Sequence, residues 1–350
     1  MSHFRYLSFA VLALPLALPP TVKAQSPAPP QAKAKKDNDR TFHTAQLRHA
    51  KLREAQANVS SLDLFLGPGG ADGQPKPPFT FIDEDKNGTN PKLNAKDATG
   101  QSWRVKLGPE ARPEVVATRL LWAMGYFVED DYVLPEATVS NLQMKRGKGE
   151  IAENGLIKDA RFAHKPDGQK KAGIWEWKAN PFFGKREFNG LRVMMALMNN
   201  WDLKDVNNAV FVDKDKHQQY LVVSDIGATF GGNAFNLPIA NSKGNIEAYE
   251  KSGFIDKTHD GMVDFATPKA PGAALLKTGG TLVGEYFHRR GFDWIGNNIP
   301  VEDARWMGEQ LGALSHQQLV DAFRAGHFPA DEVDRYVIVV ENRIAQLKHL

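Results

Sequence analysis

Residues 186–227 hold the arrangement that most restricts how this chain can fold. From Arg186 to Trp201, the apolar side chains of Phe188, Leu191, Met194, Met195, Leu197, Met198 and Trp201 recur at three- and four-residue steps, which predicts a helix with an apolar face. A polar loop follows, in which Asp202 precedes Asn207 by five positions. The run Tyr220–Val223 then predicts a strand, and it delivers Asp225 directly before Ile226-Gly227. Asp and Asn are turn formers, so a solvated Asx-rich turn between a core helix and a core strand is one reading of this stretch.

The other reading is chemical. In phosphoryl transfer one carboxylate orients the attacking hydroxyl, while an amide and a second carboxylate hold Mg²⁺ against the nucleotide phosphates. Asp202-Leu203 with Asn207, followed by a strand ending in Asp225-Ile226-Gly227, resembles the catalytic loop and metal-binding motif of the protein-kinase-like superfamily. Asn200 and Trp201 stand where ordinary members carry His-Arg, and Ile226 replaces Phe. The resemblance is therefore nearer the atypical branches: the HipA-like, secretory-pathway casein-kinase-like and phosphoinositide-kinase-like families. It extends over about Phe79–Phe230.

Such a resemblance implies an α+β fold of two lobes, a small antiparallel β lobe with one helix plus a larger, mainly helical lobe. It also implies binding of ATP with Mg²⁺ (or Mn²⁺) and transfer of the γ-phosphoryl group to a hydroxyl of a protein, sugar or lipid. On these terms Asp202 orients the acceptor, and Asn207 and Asp225 carry the metal. A secreted pseudokinase acting as a binding module, or nucleotidyl transfer from the same site, is the alternative.

The chain begins with a short basic start (His3, Arg5), an apolar core (Leu7–Leu18) and Val22-Lys23-Ala24, the pattern of a secretory signal peptide over residues 1–24. The expected location is periplasmic or secreted. Pro15, Pro19 and Pro20 interrupt the apolar run, which is short for a membrane span. There is no cysteine in the 350 residues, which excludes disulfides and thiolate metal sites. The formal charge of +3 falls to +1 without Arg5 and Lys23, which argues against a general nucleic-acid binder. Residues 25–60 read as a disordered linker (25–39) and a marginal surface helix (Thr41–Val59) with charges on most turns.

Residues 61–178 read as the small β-rich lobe. Phe79–Ile82, Lys92–Ala98 and Ser102–Leu107 predict three strands, with Thr99-Gly100 as the tight turn between the last two. On the resemblance Lys106 is the strand lysine that contacts the α/β-phosphates. Asp83–Asn90 begins like a calcium loop but has Asn94, not glutamate, at its twelfth position. A phosphate-covering hairpin built around Gly88, or a plain solvated hairpin, is the other reading. Pro113–Tyr126 predicts an amphipathic helix whose Glu114 pairs with Lys106 on the resemblance, with Glu110 as rival. Ile174–Trp177 would be the strand behind an adenine.

Residues 179–350 read as the mainly helical large lobe. Residues 240–284 carry few periodic signals and read as a substrate-facing insert. His288-Arg289-Arg290 could bind an acidic group or form a solvated face. Val301–Leu314, Ser315–Ala325 and Pro329–Leu347 predict helices, with Ser315 as an N-cap.

Overall fold

The segment Thr41–Val59 does not form the surface helix its charges predict; it joins a sheet. The computed structural model describes residues 40–88, 90–164, 168–232, 243–267 and 291–350. Residues 1–24, the linker 25–39 and His288-Arg289-Arg290 lie outside them. Thr41–Phe42 form a short strand, β1, parallel to Ile174–Trp175. Lys51 exchanges backbone hydrogen bonds with Gln219 and Leu221 at 2.9 and 2.8 Å, and Leu47 and Leu52 are buried. A short isolated helix is marginal in water, so these sheet bonds and the two buried leucines outweigh it.

Five strands close into a barrel. They are β2 (Phe79–Asp85), β3 (Lys92–Lys96), β4 (Ser102–Lys106), β5 (Asp130–Ser140) and β6 (Leu156–His164), in the order β2-β3-β4-β6-β5. Instead of a purely antiparallel sheet, the ring is completed by parallel pairing of Phe79 with Val139 and Thr80 with Ser140. Closure leaves the ring without an open edge. Alternation sends Leu93, Ala95, Trp103, Val105 and Phe162 inside, where they pack with Phe79, Val139 and Ile157. Helix α1 (Ala111–Ala123) links β4 to β5.

The second sheet has the order β1-β7-β8-β9, with β7 (Gln169–Trp175), β8 (Asn208–Asp213) and β9 (Gln218–Val223). β7 thus pairs with β8 across the expected boundary at residue 178, and Trp175 and Trp177 are buried in the main core. Helix α2 (Arg186–Leu197) buries the apolar face predicted for it against this core, which also takes up Leu221 and Val223. Residues 243–267 of the stretch expected to lack structure contain α3 (Ile246–Glu250), β10 (Ile255–His259) and β11 (Met262–Phe265); β11 also pairs with β12 (Ile299–Pro300). Helices α4 (Val301–Leu311), α5 (His316–Ala325) and α6 (Ala330–Lys348) follow. Ser315 caps α5 as predicted, accepting from the Gln318 N–H at 3.2 Å. The content is α+β, and among the described residues no helix is long and apolar enough to cross a membrane.

One turn determines the register of the barrel wall that matters below. Asp97 Oδ1 accepts from the Thr99 and Gln101 N–H groups and the Thr99 hydroxyl, and Oδ2 accepts from Trp103 Nε1 at 3.0 Å. Burial alone would raise the Asp97 pKa, but these donors outweigh it and hold it at about 2. Its stabilisation is therefore present above the ordinary 3.8 and lost as pH falls toward about 2. Asp97→Ala strands the buried Trp103 N–H and is expected to lower the urea-unfolding free energy by about 2–3 kcal/mol. The difference from the parent chain should shrink when the titration is repeated in acid.

Candidate functional site: a charge cluster at the barrel rim

The register of the barrel wall sets Lys92 of β3 opposite Lys106 of β4, and Lys106 opposite Arg161 of β6. All three therefore lie on one face, opposite to the face of Leu93, Val105 and Phe162 that fills the barrel. Neighbouring like charges in a sheet repel, so this row requires acids. Helix α1 supplies two of them, because Glu110 and Glu114 are four residues apart and share a face at its N-terminus. Lys106 Nζ lies 2.6 Å from Glu114 Oε2 and 3.4 Å from Glu110 Oε2, and it also contacts Asp225 Oδ1. Both glutamates thus pair with the lysine, Glu114 more closely.

Arg161 extends the network inward. Its Nε lies 2.8 Å from Asp131 Oδ2, its Nη1 is 3.3 Å from Glu114 Oε1, and its Nη2 is 3.5 Å from Glu129 Oε2. Lys243 Nζ reaches Glu110 Oε1 at 2.5 Å. Lys106 is 3% exposed and Glu114 1%, so the ammonium persists only because its partners replace water. Burial works against the Lys106 ammonium, but Glu114, Asp225 and Glu110 outweigh it and push its pKa up. Burial likewise opposes ionisation of Asp225 and Glu110. Lys106 and Lys92 hold Asp225 well below the carboxylate range, and Lys106 and Lys243 lower Glu110.

Asp225 reaches this cluster from the end of β9. It takes a left-handed backbone conformation, φ +55°, which Asp tolerates better than most residues. Ile226 is then buried in the main core. Gly227 lies so close to α1 that a Cβ there would come within 2.7 Å of the Glu110 carbonyl oxygen. The Asp-Ile-Gly triplet thus turns the carboxylate, anchors the turn in the core and lets it touch the start of α1.

Asp202 and Asn207 form the adjoining loop. The Asp202 N–H donates to Asn200 Oδ1 at 3.1 Å, and Asn207 Nδ2 donates to the Asp202 carbonyl at 2.8 Å, which closes the loop. The Trp177 N–H donates to Asp205 Oδ1 at 2.8 Å and holds the 3₁₀ turn Asp205–Asn207 in place. Ser224 donates its N–H and its hydroxyl to the Asn207 carbonyl at 2.9 and 2.7 Å, so the backbone at Asn207 lies beside the residue preceding Asp225. The Asp202 carboxylate pairs with Lys204 Nζ at 2.8 Å.

The donors here fit a hard cation only in part-ligand form. Asn207 has committed its N–H₂, leaving Oδ1, and Asp225 is held ionised. Among the described residues no group of three or more His, Cys, Asp or Glu could cage a metal by itself. Mg²⁺ and Mn²⁺ suit such a set, because one or two protein oxygens are completed by phosphates and water.

Gly88 lies in the β2–β3 hairpin with φ +71°, and a Cβ there would stand 3.2 Å from Lys92 Nζ. The hairpin acids do not form a calcium cage. Asp83 accepts from Asn94, Asp85 from the Asn87 N–H, and Glu84 from the Lys145 and Arg146 N–H groups. Arg146 in turn donates to the carbonyls of Gly88 and Asp85 at 2.8 and 2.6 Å.

One pleat along the same barrel face, about 7 Å from the cation row, stand Asn94, Arg104 and Ala163. With Glu129, His164 and Phe211 of β8 they line a cavity of about 530 Å³. Another cavity, about 490 Å³ between β5 and helices α5 and α6, shares no residue with the cluster.

Lys92 and Arg161 escaped the sequence reading. Lys92 was recoverable, since it stands as far before Thr99 as Lys106 stands after it, and a turn there pairs them. Arg161 carries no such local signal.

No protein-family model and no curated protein matches this chain. Among solved structures it is similar to the crystal structure of a Helicobacter pylori proinflammatory kinase, CtkA, at 12% identity and a TM-score of 0.34, over 77% of this chain and 97% of that one. A likeness that low carries no argument about reaction or fold.

Removing Lys106 leaves buried acids without their shared cation. Lys106→Met is expected to lower the unfolding free energy by about 3 kcal/mol, and adding Glu114→Gln should recover part of it in a double-mutant cycle. The lowered Asp225 and Glu110 stabilise above their ordinary 3.8 and 4.5, and the raised Lys106 stabilises below its ordinary 10.5. The urea midpoint should therefore hold steady from about pH 5 to 9 and fall in acid, with a shallower acid fall in Asp225→Asn.

Proposed function

We propose that the chain is a kinase-like protein of two lobes that binds MgATP and transfers the γ-phosphoryl group to a hydroxyl. The observation that carries this reading is the meeting of Lys106, from a strand end, with Glu114 of the following helix and with Asp225 of an Asp-Ile-Gly turn. A lysine held by a helix glutamate beside a metal-type aspartate is a phosphate-handling arrangement. The cavity along the same barrel face, walled by Ala163 and Phe211, is the natural seat for the base.

In this reading Asn207 and Asp225 would hold the divalent cation, which would supply neutralisation of the phosphate charge. Lys106 binds the α/β-phosphates, and Glu114 fixes the ammonium in place. Asp202 accepts the proton of the acceptor hydroxyl as its oxygen attacks the γ-phosphorus and the bond to the ADP oxygen breaks. Fixed charges of this kind act without reorganising during the reaction, and losing one typically costs about 3–4 kcal/mol of barrier. Export to a periplasm or the exterior belongs to the same proposal and rests on the composition of residues 1–24.

The test is a thermal-shift titration together with a turnover assay following label from the γ-phosphate. Stabilisation by ATP only when Mg²⁺ or Mn²⁺ is present, turnover reduced at least a hundredfold by Asp202→Asn, and both effects removed by Asp225→Asn are expected. Mass spectrometry of the modified acceptor distinguishes an added phosphate from an added nucleotide monophosphate. Metal-dependent binding without transfer would mark a pseudokinase, and no nucleotide effect of any kind would end the proposal.

A further inference from the structure

Lys92 occupies an unusual position. It is in register with Lys106 on the same barrel face, and its side chain is 13% exposed. Lys106 has three acids around it. Among the described residues the ion-pair partner of Lys92 is Asp225, at 3.9 Å. Its ammonium lies beneath the hairpin tip, since a Cβ on Gly88 would come within 3.2 Å of Nζ.

The hairpin above it has Gly88 as its one glycine, and its Lys86 is exposed, whereas Lys92 is paired with Asp225. Asp83, Glu84 and Asp85 are bound to neighbouring donors, and Arg146 spends its guanidinium on the hairpin carbonyls. A lysine ammonium is therefore the group that this hairpin presents toward Asp225. If Asp225 is given over to a hard cation, Lys106 keeps Glu114 and Glu110, whereas Lys92 loses its counter-charge. A nearly buried ammonium in that state calls for an anion.

The geometry points to Lys92 as a second polyphosphate-binding side chain of this site, doing with one charge what a glycine-rich hairpin does with backbone N–H groups. The inference rests on the nucleotide reading above. Its ligand class is the di- or triphosphate end of a nucleotide, and it gives the β2–β3 hairpin a role in binding that its acidic sequence conceals. A lysine suits the task as a compact point charge on a flexible stem.

The experiment is equilibrium binding of ATP, ADP, AMP and adenosine, with Mg²⁺, to the full chain and to Lys92→Met and Lys92→Arg, measured by calorimetry. Lys92→Met should weaken ATP about tenfold or more, weaken ADP, and leave AMP and adenosine within about twofold. Lys92→Arg should recover most of the ATP affinity. Equal ATP binding by Lys92→Met and the parent overturns the inference alone. So does an equal loss for adenosine and ATP, which marks a structural role. Failure of the parent chain to bind any of the four overturns the nucleotide reading and this inference with it.

Discussion

A buried ammonium joins three parts of this protein that are distant in sequence. Lys106 comes from the barrel wall, Glu110 and Glu114 from the helix after it, and Asp225 from the end of a strand more than a hundred residues on. Lys106, Glu110 and Glu114 are buried, and none of the three is stable at its depth alone. Taking an isolated charge out of water costs several kcal/mol, and only close opposite charge recovers it. The cluster therefore dictates how the barrel, α1 and the β8–β9 sheet can meet. Arg161, with Asp131 and Glu129 behind it, carries the same alternation of charge deeper into the barrel wall.

Apolar residues of equal volume would hold these elements together as well or better, so stability does not account for the charges. In the proposed reading they prepare a surface for an anionic ligand and its cation. Asp225 is ionised and 38% exposed, Lys106 is fixed by its glutamates, and the Asp202–Asn207 loop is tied by Ser224 to the strand that carries Asp225. A cavity lies one pleat along the same face, lined by Asn94, Arg104, Ala163 and Phe211. The kinase-like proposal and the role given to Lys92 both follow from this one distribution of charge.

Much of the local structure was legible in the sequence. Helix α2 and the strands β3 and β4 follow from periodicity, and β9 from its run of strand formers, Tyr220–Val223, all four of which are buried. The pairing of Lys106 with Glu114, or with its rival Glu110, was implied by resemblance, and the structure gives the lysine both. What was hidden depends on contacts between distant segments. Thr41–Val59 carries charges that look like a surface helix, yet its backbone completes a sheet whose other members lie beyond residue 168. The parallel closure between Phe79 and Val139 has no local signature, nor has Arg161, whose acids arrive from α1, β5 and the segment before it. Of the acids near Gly88, Asp85 is bound by Asn87 two residues on, whereas Glu84 is bound by the Lys145 and Arg146 N–H groups far along the chain, which no local pattern announces.

The central claim is that Asp225 and Asn207 share one hard cation in the presence of a nucleotide's phosphates. Electron paramagnetic resonance of Mn²⁺ titrated into the full chain tests it directly. The account predicts weak Mn²⁺ binding alone, close to one tightly bound ion per chain once ATP is added, and loss of that ion in Asp225→Asn. Mn²⁺ binding that ATP does not alter, or that survives Asp225→Asn undiminished, would contradict it.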